Sequence, residues 1–367
     1  MIHSSTNLEV RLRNRTYPIT IGRNLEELLV KKKILLDNQG IKSVAVVDQG
    51  LLEKNPDFFS EFLDSIDVIS IPAGEKSKSI NQLNKIWDFL AHQKIDRSGL
   101  VFSIGGGVVG DLGGFAAATF LRGVSLCQIP TTLLAMVDSS VGGKTGINLG
   151  AGKNLVGSFH QPSDVFMDLD VLKSLPSREF SAGMAEVIKY GMIGNQKLLF
   201  DLSTNHEIFN PSGEKLAELI KLCCEAKAKI VEQDEREMEG ISGGRALLNL
   251  GHTFAHAIEA VAGYGHYLHG EAVGIGLLCA LRLSIKYGMC KEEDEDMIRE
   301  LLVTYDLPCF LRHPLLSDEL IEVMKSDKKV HRGNLRFVLM REIGEAYVEE
   351  NVDLSKVYEV WNSVGAE

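Results

Sequence analysis

The first half of the chain alternates short β-branched apolar runs with stretches of helical repeat. Residues 43–48 (SVAVVD), 100–104 (LVFSI) and 124–132 (VSLCQIPTT) read as buried strands, 66–72 (IDVISIP) as another strand, and 81–95 (NQLNKIWDFLAHQKI) as a helix. That alternation predicts a parallel sheet with helices on its faces. From about Pro176 the texture changes. SREFSAGMAEVIKYGMI, PSGEKLAELIKLCCEAKAKIVEQDERE, ALLNLGHTFAHAIEAVAG and EAVGIGLLCALRLSIKYG all carry helical periodicity, with glycine breaks between them. The expectation is an α/β N-terminal domain over 1–175, Rossmann-like with a parallel sheet, and a mainly α-helical C-terminal domain over 176–367. With no internal repeat and no low-complexity tether, the two are expected to pack around a cleft that holds the active site.

Composition narrows the function classes. The chain has 367 residues, 45% hydrophobic and 24% charged, as a soluble globular protein does. A formal net charge of −11 argues against a nucleic-acid partner, whose phosphates demand a basic face. Any anionic small molecule must be met by locally clustered Lys and Arg. The opening MIHSSTNLEVRLRNRTYPIT has no apolar segment of a secretory leader, and no run of about 18 apolar residues offers a membrane span, so a cytoplasmic protein is expected. The six cysteines form no C-x-x-C pair and read as reduced, packed thiols.

Candidate chemistry begins at GGGVVGDLGG, 105–114. Gly105, Gly107 and Gly110 satisfy the G-x-G-x-x-G spacing that lets backbone approach a pyrophosphate at a helix start. The usual acidic residue about 20 positions downstream is missing, and Asp48 lies upstream instead. Glu75 and Lys78 follow another strand. The order of parts therefore departs from a standard dehydrogenase unit. Next, PTTLLAMVDSSVGGKTGINLGAGKNLVGSFHQP sets Lys144 and Lys153 within glycine-rich backbone, with Asp138 and Asn154 close by, a composition suited to phosphate or carboxylate. The competing reading is a pair of turns with solvated lysines. No Walker A loop occurs.

In GHTFAH, His252 and His256 stand at i and i+4 and share a helix face. This is the zincin H-E-x-x-H with Thr253 in place of the glutamate, so the protease base is absent. His269 and Glu186 add possible ligands from other segments, and three protein ligands leave a metal position open for substrate. An isolated helix histidine is more often packed than ligating; the combination with the glycine loops shifts that balance.

Taken together, GGGVVGDLGGFAAATFLRGV, PTTLLAMVDSSVGGKTGINL, GKNLVGSFHQP, GMAEVIKYG, RALLNLGHTFAHAIE and LHGEAVGIG resemble the 3-dehydroquinate synthase family, over roughly residues 40 to 345. The resemblance implies a homodimeric lyase of the shikimate pathway that uses NAD and a divalent metal, Zn²⁺ or Co²⁺. Its metal ligands would be Glu186, His252 and His269, with His256 near the substrate phosphate. Cofactor contacts would fall at Asp48, Glu75, Lys78, Gly106, Gly107, Val108, Asp111, Thr131, Thr132 and Ser174, with Asp138, Lys144 and Lys153 also assigned there. Substrate and catalytic positions would be Arg122, Lys144, Asn154, Lys189, Lys227, Glu237, Arg245 and Asn249, with Asp138 touching substrate too. Lys153 and the Asp327-Lys328-Lys329 segment would close the pocket. The stretch EMEGISGGR is about four residues longer than the family's usual pattern, so Glu239 competes with Glu237 as the matched acid.

The implied substrate is 3-deoxy-arabino-heptulosonate 7-phosphate, whose carboxylate and phosphate account for a lysine-rich pocket in an acidic protein. The implied sequence is oxidation at C5, phosphate loss, re-reduction, ring opening and aldol closure. Rivals are aminodehydroquinate synthase, other sugar phosphate cyclases and a metal-dependent alcohol dehydrogenase. Asp111, the VDSSVGGK block and Asn249 look like the dehydroquinate type. A non-catalytic nucleotide-binding module would not need Glu186, His252, His269, Lys144 and Arg122 together.

Overall fold

In the computed structural model, residues 5–150, 152–204, 210–237, 243–326 and 335–367 are described. The chain divides into two compact units, Met1–Pro176 with Asn210–Ala228, and Ser177–Phe209 with Lys229–Glu367.

The first unit runs β1 (Thr6–Leu12), β2 (Arg15–Gly22), α1 (Glu26–Asn38), β3 (Ser43–Asp48), α2 (Gln49–Lys54), α3 (Ser60–Asp64), β4 (Asp67–Ile71), α4 (Ile80–His92), β5 (Leu100–Gly105), α5 (Gly107–Thr119), β6 (Ser125–Pro130), β7 (Lys144–Leu149), β8 (Gly152–Phe159) and β9 (Asp164–Asp168). Seven of these strands form one sheet in the order β1-β2-β9-β6-β5-β3-β4. Only the β1/β2 pair is antiparallel. β3, β5 and β6 are buried because helices cover them: Val44, Val46, Val101 and Leu126 share a core with Val109, Leu112 and Ala116 of α5, whereas in the edge strand β4 only Ile71 is buried. In α4, Leu83, Ile86 and Leu90 are fully buried at helical spacing, and Ser79 caps its start by accepting from the Gln82 N–H at 3.4 Å. Burial of each such side chain is worth about 1.5–3 kcal/mol.

Between β3 and β5 the order of connection reverses, β4 lying on one side and β6 on the other. Such a switch point opens a crevice at the strands' C-terminal ends. Asp48 ends β3 there, and the glycine loop leaves β5 beside it.

The glycine-rich stretch 130–162 is more ordered than turns alone would make it. A π-helical turn covers Ala135–Ser139, and β7 and β8 form an antiparallel hairpin. Gly146 faces Gly157 across it; a Cβ on Gly157 would lie 2.1 Å from the Thr145 carbonyl oxygen, so the strands approach as closely as they do only with glycine there.

The second unit carries α6 (Ser177–Ile193), α7 (Gln196–Thr204), the end of α8 (Leu216–Gln233), α9 (His252–Val261), α10 (His269–Lys286), α11 (Glu292–Thr304), α12 (Ser317–Ser326), a hairpin of β10 (Phe337–Glu342) and β11 (Glu345–Glu349), and α13 (Leu354–Ser363). The helical run 246–263 is broken in two. A 3₁₀ turn spans Gly244–Asn249, and Gly251, at φ 78°, adopts the left-handed conformation that frees α9 to start at His252. Helices α6 and α10 are buried over most of their circumference, and they pack together through Gly270, where a Cβ would lie 1.8 Å from the Ala182 carbonyl oxygen.

Candidate active site

A fully buried carboxylate in an otherwise apolar helix costs several kcal/mol unless charges or donors compensate it. Glu186 on α6 is 0% exposed. Lys189, one turn on and also buried, lies in ion-pair contact with its Oε2. Its Oε1 makes no hydrogen bond among the described residues and faces two imidazoles, with His252 Nε2 at 3.4 Å and His269 Nε2 at 3.7 Å. His252 is the first residue of α9 and His269 the first of α10, so three helices converge on one point. One ligand atom from each of the three lies within 4.8 Å of the others.

The donor set fits a divalent cation. His252 Nδ1 is 3.1 Å from the Leu250 carbonyl oxygen and His269 Nδ1 is 3.3 Å from Glu259 Oε2. With Nδ1 donating in each ring, both Nε2 lone pairs point toward Glu186, which leaves an N, N, O set of the catalytic type. His256 stands off, its ring centroid 5.7 Å from that of His252 and 6.2 Å from that of His269. It neighbours the trio without joining it.

In the first unit, the glycine loop opens α5 as its spacing predicts. Gly106 is the N-cap, and the Gly110 N–H donates to its carbonyl at 3.0 Å. Gly107 begins the helix and Val108 comes next, half-buried. Asp48 caps α2, accepting from the Leu51 N–H at 3.2 Å. Thr131 donates its N–H to the Gly105 carbonyl at 3.0 Å, and Thr132 Oγ1 accepts from the Ala135 N–H at 3.1 Å. These residues therefore gather at one end of the sheet.

A polar cluster adjoins them. Lys78 Nζ, 4% exposed, is 2.5 Å from both Asp111 Oδ2 and Asn154 Oδ1, and 3.8 Å from Glu75 Oε1. Asn148 joins the set, donating to Glu75 at 2.8 Å and accepting from the Asn154 N–H at 2.9 Å. Burial pushes the Asp111 carboxyl up from its ordinary value, and the Lys78 ammonium opposes that shift. A second pair forms where the π turn meets α8: Lys227 Nζ donates to the Asp138 carbonyl oxygen at 2.6 Å and to its Oδ1 at 2.7 Å.

The remaining expected positions are more scattered. Lys144 starts β7, exposed, and Lys153 lies half-buried on β8. Arg122 is exposed in a 3₁₀ turn, in left-handed backbone at φ 69° beside Leu121 at φ 50°. Ser174 donates to the Val171 carbonyl at 2.9 Å and accepts from Asn55 Nδ2, distant in the chain, at 2.8 Å. Arg245 is 2% exposed and donates to the Glu235 carbonyl at 2.7 Å; Asn249 closes its turn. Glu237 is exposed at φ 54°. Glu239 and Asp327-Lys328-Lys329 lie outside the described residues.

The sequence reading did not single out Glu259 and Glu271, both 3% exposed. A signal for Glu259 was there: His252, His256 and Glu259 stand at i, i+4 and i+7 on one face of α9.

Residues 68–182 match the model described as 3-dehydroquinate synthase N-terminal, and 183–330 that described as 3-dehydroquinate synthase C-terminal. A 3-dehydroquinate synthase of Opitutus terrae is 47% identical over 359 residues, covering 98% of this chain and 99% of that one. The chain belongs to the 3-dehydroquinate synthase family. It is thus an enzyme, and its fold is shared with more distant structures. A 2-deoxy-scyllo-inosose synthase complexed with carbaglucose-6-phosphate, NAD⁺ and Co²⁺ superposes with a TM-score of 0.83 at 24% identity, covering 98% of this chain and 100% of that one. The 2-epi-5-epi-valiolone synthase of Streptomyces hygroscopicus, with NAD⁺ and Zn²⁺ bound, does so with 0.85 at 22%, covering 96% and 98%. Among the described residues no helix is long and apolar enough to cross a membrane.

Proposed function

We propose that this chain converts 3-deoxy-D-arabino-heptulosonate 7-phosphate to 3-dehydroquinate and phosphate, the reaction of the family to which it belongs. The observation that carries the reading is the convergence of Glu186, His252 and His269. A bound Zn²⁺ or Co²⁺ would supply Lewis acidity, lowering the pKa of a coordinated substrate hydroxyl. NAD, held by the residues at the glycine loop and the end of β3, would supply reversible hydride chemistry at C5 with no net consumption over a cycle.

The chain's own residues supply the rest. An alkyl C–H beside a carbinol is too weak an acid for elimination, and only with C5 as a ketone does the C6 proton become removable. The protein's task is therefore to hold one charged substrate through several oxidation states. Lys189, Lys227, Lys144, Arg245 and Arg122 are the cations assigned to the carboxylate and phosphate, with Asn154, Asn249 and His256 as polar contacts and Glu237 as the matched acid. Asp48, Glu75, Lys78, Gly106, Gly107, Val108, Asp111, Thr131, Thr132, Asp138, Lys153 and Ser174 are assigned to the nucleotide side. Both Lys78 and Lys227 already face carboxylates, so a bound anion would compete with Asp111 and Asp138 for them.

A homodimer is part of the proposal. Leu121, Leu149, Leu155, Val156 and Phe159 are each about 40% exposed on the β7/β8 hairpin and the turn before β6, beside an apolar hollow of about 430 Å³ lined by Trp87, Phe115 and Phe120. Such a patch favours burial against a second copy. A cytoplasmic location suits six cysteines that are all buried and unpaired.

The test is phosphate release from 3-deoxy-D-arabino-heptulosonate 7-phosphate, with and without chelator and added zinc, read beside the absorbance of reduced nicotinamide. Metal-dependent release with formation of dehydroquinate and no net reduced cofactor is the expected result. Steady accumulation of reduced nicotinamide would replace the reading with a simple dehydrogenase.

A further inference from the structure

We infer that Glu259 is a positioning residue of the metal centre, the carboxylate that fixes the ring of His269 and strengthens it as a ligand. The inference rests on the reading that Glu186, His252 and His269 hold a divalent cation.

Glu259 sits on the last turns of α9, seven residues after His252, and is 3% exposed. A carboxylate there needs a compensating partner. Its Oε2 lies 3.3 Å from His269 Nδ1, on the far side of the imidazole from Glu186. One face of α9 thus supplies a ligand directly and, two turns on, the support of a ligand carried by α10.

The two histidines are supported unequally. His252 Nδ1 faces a neutral backbone carbonyl, that of Leu250, whereas His269 Nδ1 faces a charged oxygen. A carboxylate draws the Nδ1 proton harder than an amide carbonyl does, so electron density at Nε2 rises and the imidazole becomes a better donor. His269 is also the more exposed of the two, its side chain at 30% against 11%. The ring with more freedom is the one held by charge.

The test measures zinc affinity by competition with a chromophoric chelator on full-length apo-protein, and the visible spectrum of the Co²⁺-loaded form. Glu259→Gln keeps the shape and an acceptor oxygen and removes the charge. Zinc binding is expected to weaken about 10- to 100-fold, with a shifted Co²⁺ spectrum and unchanged far-UV dichroism of the apo-protein. Glu259→Asp, which keeps the charge one methylene farther away, should recover part of the affinity and serves also if Gln does not fold. Zinc affinity within about twofold of wild type in both folded variants would overturn the inference. Glu186→Ala separates the two readings: if it binds zinc as tightly as wild type, the metal centre itself is misplaced and the inference falls with it. If Glu186→Ala loses zinc while Glu259→Gln does not, the centre stands and Glu259 has no part in it.

Discussion

Arg178 donates from Nε and Nη2 to the two carboxylate oxygens of Glu271, at 2.7 and 2.9 Å. The fork joins α6, which carries Glu186, to α10, which begins with His269. Glu271 also accepts from Arg312 Nη2 at 2.5 Å and from the Leu268 N–H at 2.8 Å. The carboxylate therefore serves as hub for two arginines and a helix start.

The two ends of this fork are unequal in what their loss costs. Arg178 has a side chain 53% exposed, and solvent screens its part in the pair. Arg178→Leu is expected to cost about 0.5–1 kcal/mol in urea unfolding of the apo-protein. Glu271→Leu leaves the Leu268 N–H without its acceptor at the start of α10, and about 1.5–3 kcal/mol is expected. An equal or reversed order would show that the hub is not Glu271.

Gly270→Ala tests the approach of the same two helices. The new methyl would meet the Ala182 carbonyl at 1.8 Å, backbone against backbone, so α6 and α10 must separate. A loss of about 3 kcal/mol, together with weakened zinc binding, is expected. Gly150→Ala, where a Cβ meets nothing within 4 Å, is the control and should unfold like wild type.

Asp170 supplies a pH dependence. Burial works against its charge, but Lys173 Nζ at 2.7 Å and Arg23 Nη1 at 2.8 Å outweigh it and hold the carboxyl below its usual range. A depressed folded-state value means the stabilisation is present above the unfolded-state pKa and fades as pH falls through the folded one. Asp170→Asn should cost about 1 kcal/mol at pH 7, a gap that closes below about pH 4. Urea midpoints of both proteins across that range give the comparison; a gap that widened toward acid would contradict the assignment.

Thiol chemistry should be silent in the native state. Burial pushes Cys224 and Cys279 up to about 12 and Cys290 up to about 11. Labelling with a thiol-reactive disulfide at pH 8 is expected to modify none of the six cysteines in the folded chain and all six in denaturant. Fast labelling of one thiol in the native protein would reveal a local opening.

Strands β3, β5 and β6 were legible because they are buried along nearly their whole length, which removes polar alternation and leaves continuous apolar runs, whereas the edge strand β4 keeps exposed polar positions at Asp67 and Ser70. The β7/β8 hairpin was hidden: Gly146 and Gly157 carry no side chain, so the stretch reads as loop although the missing side chains are what allow its strands to close up. The left-handed Gly251 likewise divides a helical pattern that periodicity alone joins. In the metal trio, the residue types and the helix register were readable, but their convergence depends on α6, α9 and α10 meeting, which no spacing encodes. Glu259 was passed over because an acid on an apolar helix face looks like an interruption of the pattern until its histidine is seen.

The π-helical turn at Ala135–Ser139 makes this segment sensitive to a kind of change that substitutions do not probe. A wider turn accommodates one residue more than an α-helical turn would. Deleting a single residue from it would relax the backbone toward ordinary helix and rotate the downstream residues by about 100°. Asp138 would then swing off Lys227, although every amino acid of that pair is still present. In this stretch chain length itself carries structural information, and an in-frame deletion of one codon should do more harm to the Asp138–Lys227 pair than most exchanges of one residue for another.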